Sequence, residues 1–125
     1  MKLTRFATGL CLLAAVLFLS SCEPVPMHTF YISEEGCILK SADGDRIEDF
    51  WVFPGDLVII INTAGKDMTV KFATPGMFED QEFTIARGTR VKYYVKDDAE
   101  GTFDYTITPC DGAPGTPKGN VGDNP

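Results

Sequence analysis

From Thr29 onward the chain alternates apolar and polar residues with a period of two, and this alternation limits what it can fold into more than any motif does. Met68, Val70 and Phe72 fall on one side of an extended segment, with Thr69 and Lys71 on the other. Phe83 and Ile85 repeat the pattern. Val91, Tyr93 and Val95 stand opposite Lys92, Tyr94 and Lys96, and Phe103, Tyr105 and Ile107 stand opposite Asp104, Thr106 and Thr108. Successive side chains of a strand point to opposite faces, so each stretch reads as a half-buried strand. Residues 57–61, LVIII, are instead a continuous run with turn signals at both ends, which predicts a strand buried on both faces. Turns are expected at Gly36, in residues 41–49, at Pro54-Gly55 and in residues 62–67. No amphipathic helix of useful length follows residue 21. Six to eight short strands in about a hundred residues predict an all-β, antiparallel β-sandwich.

The first residues read differently. Lys2 and Arg5 precede an apolar run, residues 6–19, that is too short to cross a bilayer comfortably, and the run ends in Leu19-Ser20-Ser21-Cys22. An apolar residue and two small ones directly before a cysteine resemble the lipobox of bacterial lipoproteins. The resemblance implies removal of residues 1–21 and acylation of Cys22, which would then lead the mature chain. Ordinary secretion with cleavage near Ser21 is the plainer alternative. Several acyl chains anchor firmly, because each buried methylene contributes about 0.8 kcal/mol. Residue 23 is Glu and not Asp. In a host with two membranes this favours the outer membrane, with the domain facing the periplasm.

Cleavage after Ser21 leaves 104 of the 125 residues, enough for one small domain. It takes Lys2 and Arg5 from the 11 basic residues and none from the 18 acidic, leaving nine against eighteen and a net charge of −9. Such a domain is repelled by nucleic acid and by anionic headgroups. Residues 22–28, with Pro24 and Pro26, read as a tether, residues 29–110 as the sandwich, and residues 111–125 as a Gly/Pro-rich tail. The tail has too little apolar area to offset its ordering entropy, so it is expected to be extended or disordered, with at most a short edge pairing near Val121. With Cys11 removed and Cys22 acylated, Cys37 and Cys110 remain. In an oxidising compartment a cysteine pair tends to be oxidised. On the residues alone, Cys110 is open to three uses: metal ligand, disulfide partner or nucleophile.

Three stretches, taken in order, resemble the cupredoxins, the blue-copper proteins. Residues 53–72 (FPGDLVIIINTAGKDMTVKF) match their Gly-Asp strand, Asn-turn and following strand. Residues 78–95 (FEDQEFTIARGTRVKYYV) match the middle hairpin, and residues 99–112 (AEGTFDYTITPCDG) match the strand leading to the C-terminal ligand loop. The resemblance implies a two-sheet Greek-key sandwich. It also implies a copper site of two histidines, one cysteine and a weak axial ligand. The positions that would carry the strong ligands hold Met68, Ile107 and Cys110, and the chain has a single histidine, His28. A cupredoxin-like domain without its copper centre is therefore expected. The resemblance also places Cys37 near the C-terminal ligand loop, which implies a Cys37–Cys110 disulfide at the vacated corner.

Other candidates are few. His28, Met68 and Met77 offer soft donors for a copper-handling site, although Met68 lies in phase with core residues. Residues 43–49, DGDRIED, lack the spacing of a calcium loop. Phe50, Trp51 and Phe53 are expected in the core, with one of them turned outward. With no histidine partner in the folded core and no phosphate loop, enzymatic readings have nothing to build on. The sequence thus predicts a lipid-anchored envelope protein without catalytic activity, a binding or structural module whose partner would be another envelope protein. The alternatives are copper handling through Met and His ligands, or electron transfer at a site that a partner completes.

Overall fold

The computed structural model describes residues 24–123, so the signal segment and Cys22 lie outside the described residues. Eight strands are present among them: β1 (Met27–Ile32), β2 (Asp49–Val52), β3 (Leu57–Asn62), β4 (Met68–Phe72), β5 (Glu82–Ile85), β6 (Arg90–Tyr94), β7 (Gly101–Thr108) and β8 (Lys118–Val121). They form a three-stranded sheet, β1-β3-β6, and a five-stranded sheet, β2-β8-β7-β4-β5.

The period-two reading holds strand by strand. Phe103, Tyr105 and Ile107 of β7 are buried and the residues between them are exposed, and β4 buries Met68, Val70 and Phe72. The inner faces of both sheets share one core. Aromatic rings cross between the layers: Phe30 of β1 lies 4.9 Å from Phe50 of β2, and Phe83 of β5 lies 4.6 Å from Tyr93 of β6.

Four expectations need correction. The sandwich is mixed and not purely antiparallel, because β1 pairs with β3 and β2 with β8 in parallel. The chain leaves one sheet for the other between the paired strands, and this crossing permits parallel partners without a helix. Next, β3 is buried on its outward face only at the centre, where Ile59 is 7 % exposed. Val58, Ile60 and Asn62 face the core, while Leu57 and Ile61 are only half-buried on the outward side. Of the three aromatics near residue 51, only Phe50 is in the core; Trp51 is half-buried and Phe53 is exposed. Finally, the first strand starts at Met27, inside the stretch read as tether, and the tail contributes an interior strand.

That interior strand, β8, lies between β2 and β7, with Phe50 opposite Gly119 on one side and Phe103 opposite Gly119 on the other. Main-chain bonds hold it there, not apolar area. Without it, β2 and β7 would both present unpaired N–H and C=O groups. Gly119 is required: a Cβ there would overlap the Phe50 ring and crowd the Met77 methyl. Asn120, 4 % exposed, donates from Nδ2 to Asp49 Oδ1 and to the Phe50 carbonyl, and its Oδ1 accepts from the Thr102 hydroxyl at 2.8 Å. A glycine and an asparagine thus do what a hydrophobicity count assigns to larger residues.

Tyr105 ties the loop after β1 to β7. Its hydroxyl accepts from the Leu39 N–H at 3.2 Å, and burial pushes its ionisation well above the usual phenol value. Tyr93, which donates to Asp80 at 2.7 Å, is pushed up to about 12, first by burial and then by that bond. Both raised values mean that the folded state holds the neutral phenol. This contribution is whole below the unfolded value of about 10 and is lost as pH rises through the folded one. We expect stability to fall between pH 10 and 12, followed by circular dichroism. Tyr105→Phe should remove part of that slope and cost about 1–3 kcal/mol at neutral pH, since the Leu39 N–H loses its partner.

Candidate binding groove at the disulfide corner

Three loops meet at one end of the sandwich: residues 33–39 after β1, residues 63–67 after β3, and residues 109–112 after β7. The middle loop is shaped by Asn62, 1 % exposed. Its Nδ2 donates to the carbonyls of Lys66 and Ile85, and its Oδ1 accepts from the Ala64 N–H, all at 2.9 Å. The side chain thus closes its own turn and ties that turn to β5 through the Ile85 carbonyl.

The other two loops are clamped together. Cys37 and Cys110 form a disulfide with Cα atoms 4.6 Å apart, across 73 residues of sequence. The Asp111 N–H donates to the Glu35 carbonyl at 2.8 Å, and the Gly112 N–H points at Cys37 Sγ at 3.3 Å. Gly36 makes the approach possible. Its φ is +69°, a left-handed conformation, and a Cβ there would overlap the Pro109 carbonyl oxygen and crowd the Met68 methyl. Cys37 itself has φ +70°, which is uncommon for a residue with a side chain.

Charges rim the corner. Lys40 pairs with Glu35 at 2.6 Å, and Arg46 approaches the same carboxylate at 3.7 Å. The Lys40 hydrogen bond, followed by its charge, holds the Glu35 carboxyl below its usual range. Lys66 bridges to Asp111 at 2.8 Å, and that bond raises its ionisation. Because Glu35 is lowered in the folded state, its contribution is present above its ordinary value of 4.5 and fades as pH falls below it. In an acid titration followed by NMR, the Glu35 side-chain carboxyl carbon should titrate below 4.5, and Lys40→Gln should move that step back up.

Beside the disulfide runs a groove of about 460 Å³, bounded by residues 104–108 of β7 on one side and residues 114–117 on the other, with Cys37 and Cys110 at one end. Its outer wall is held in place by Arg46, whose Nη2 donates to the Ala113 carbonyl at 2.8 Å, and by the Tyr105 N–H, which donates to the Pro117 carbonyl at 3.1 Å. Pro114 and Pro117 bring no N–H, so the chain peels away from β7 there and leaves the groove open.

The structure brings Cys37 and Cys110 together, as the resemblance implies. Of the remaining positions that the resemblance associates with copper, Met68 and Ile107 are fully buried in the core. His28 does not belong to this corner. It lies at the start of β1, opposite Val58, and its Nε2 bonds Asp56 Oδ2 at 2.9 Å, whereas the corner lies beyond Ile32 and Asn62, where β1 and β3 end. The Met68 methyl packs against Gly36, but that of Met77 packs near Gly119. His28, Met68 and Met77 therefore form no common site. The donors at the corner are a buried thioether and two disulfide sulfurs without an imidazole, which do not fit a blue-copper ion. Among the described residues, no group of three or more His, Cys, Asp or Glu is placed to hold a metal ion.

The sequence reading placed a turn at Gly36 but not its close approach to Pro109, and it missed Arg46 and the groove wall at residues 114–117. Only Gly36, placed directly before Cys37, carried a sequence signal that a close approach was required.

Among solved structures, the fold is similar to that of amicyanin. Against amicyanin from Paracoccus versutus the TM-score is 0.53 at 17 % identity, over 82 % of this chain and 88 % of that one. The reduced state of an amicyanin mutant gives 0.52 at 18 % identity, over 77 % and 82 %. The Cu(I) form of another mutant gives 0.52 at 17 %, over 82 % and 89 %. No protein-family profile matches the chain, and a search of curated proteins finds no match. The all-β sandwich is thus of the cupredoxin kind.

Proposed function

We propose that this cupredoxin fold serves as a non-catalytic binding or structural module, held in the cell envelope through an acylated Cys22. The observation that carries the reading is the Cys37–Cys110 disulfide, which closes the corner where the resemblance expects copper ligands, beside an open groove. The disulfide supports an exported, oxidising location, in keeping with the signal-like residues 1–21. The groove is the surface on offer for a protein partner from the same compartment.

Envelope extracts passed over the immobilised full-length protein test this reading, with Arg46→Ala as the comparison. That substitution frees the groove wall at Ala113 and leaves the disulfide untouched. A partner retained by the wild type and released by the variant supports the groove. Equal retention, or none, would count against it. Elemental analysis of the same preparation should find less than stoichiometric copper.

A further inference from the structure

We propose that the outward face of the three-stranded sheet is a docking surface for the lipid bilayer, so that the anchored domain lies on the membrane and does not swing free of it. The inference rests on the lipoprotein reading of Cys22 and deepens it.

Four large apolar residues are exposed among the described residues: Val25, Met27, Phe53 and Tyr94, each about half exposed or more. Three of them, Val25, Met27 and Tyr94, collect at one end of the three-stranded sheet, while Phe53 lies in the turn between the two sheets. Met27 of β1, Leu57 of β3 and Tyr94 of β6 stand in a single cross-strand row. Val25 lies two residues before Met27, and the Phe53–Asp56 turn places Phe53 just ahead of Leu57. Scattered exposed apolar residues need no explanation, but a cluster of them does.

The chain arrives at this same end. Cys22 is five residues before Met27, a span of at most about 17 Å when fully extended. Acyl chains on Cys22 would therefore hold the cluster within reach of the interface, and tyrosine is a residue that settles at that depth.

Charge completes the case. The next rows on the face are Thr29, Ile59 and Lys92, then Tyr31, Ile61 and Arg90. None of these residues is acidic, in a chain with 18 acidic residues against 11 basic, and where Glu79 and Asp97 border Lys92 and Tyr94 at the β6 edge, Lys96 stands with them. No ion pair among the described residues engages Arg90 or Lys92. The net charge predicts repulsion from anionic headgroups, yet this face offers them two cations beside an apolar row.

The test uses the full protein purified from membranes and reconstituted into vesicles of zwitterionic and anionic phospholipid carrying brominated acyl chains. The single tryptophan, Trp51, lies on the other sheet and serves as the control. The comparison protein carries Trp51→Phe with Tyr94→Trp. We expect bromine to quench the indole at position 94 and to spare Trp51, more strongly with anionic lipid, and Met27→Glu in the comparison protein to reverse the quenching. Mass spectrometry of the same sample reads acylation of Cys22. Acylated protein whose indole at position 94 is unquenched overturns the docking face and leaves the anchor standing; this includes the case in which two copies pair through that face. A chain with no acyl mass overturns the lipoprotein reading, and the docking face with it.

Discussion

Deleting residues 113–125 should abolish the cooperative unfolding transition of the domain or reduce it to a remnant. The segment looks dispensable by composition, but β8 is bonded on both sides, to Asp49–Val52 and to Gly101–Asp104. Its removal strips main-chain partners from two strands and detaches β2 from the rest of the five-stranded sheet. At about 1 kcal/mol net per main-chain hydrogen bond, and with two new edges exposed, the loss is on the order of 5 kcal/mol or more. That approaches the whole stability of a small domain, about 5–15 kcal/mol. The truncated protein should also associate through the freed edges, visible as high-mass species in size exclusion. A milder version is Gly119→Val, which keeps the strand but drives a side chain into Phe50, at a cost of about 1–3 kcal/mol. An unchanged melting temperature in the truncated chain would show that β8 contributes nothing.

Replacing both cysteines, Cys37→Ala with Cys110→Ala, should lower stability by a different route. The bridge closes a loop spanning 73 residues, for which the chain-entropy model gives roughly 4 kcal/mol. For a domain of this size that corresponds to roughly 15–30 °C in Tm. The native corner should survive, since the bond from Asp111 to the Glu35 carbonyl, the Lys66–Asp111 pair and the Gly36 contact do not depend on sulfur. The variant should therefore keep a native-like amide spectrum at low temperature while unfolding far earlier. A disordered corner in the folded variant would show that the bridge holds the native state itself. A loss below about 1 kcal/mol would show that the unfolded chain is already compact.

Much of the fold was legible because strand physics is local. Alternation across residues such as Phe103, Tyr105 and Ile107 reports which side of a strand meets the core, and it needs no knowledge of partners. The failures share one cause, which is that they depend on what lies beside a residue in space. Gly119 and Asn120 read as tail because their value comes from Phe50, Asp49 and Thr102, all distant in sequence. Residues 57–61 read as doubly buried along their whole length, which holds on the outward face only at Ile59, because composition cannot say whether a second layer covers that face. The corner itself was only half visible. Cys37 and Cys110 were placed together by resemblance, but the groove beside them is made by two prolines and held by Arg46, and neither carries a binding signal in sequence. The net charge misled in the same way, because a sum over the chain says nothing of the cross-strand rows of Lys92 and Arg90, which hold no acid.

The central claim is that sulfur bonded to sulfur occupies the corner where this fold would otherwise gather metal ligands. Intact mass measurement after unfolding and alkylation without reductant, paired with metal content of the native protein, tests it directly. The account predicts no alkylation at Cys37 or Cys110 and no retained copper. Alkylation of both, with one copper ion held by the native chain, would contradict it.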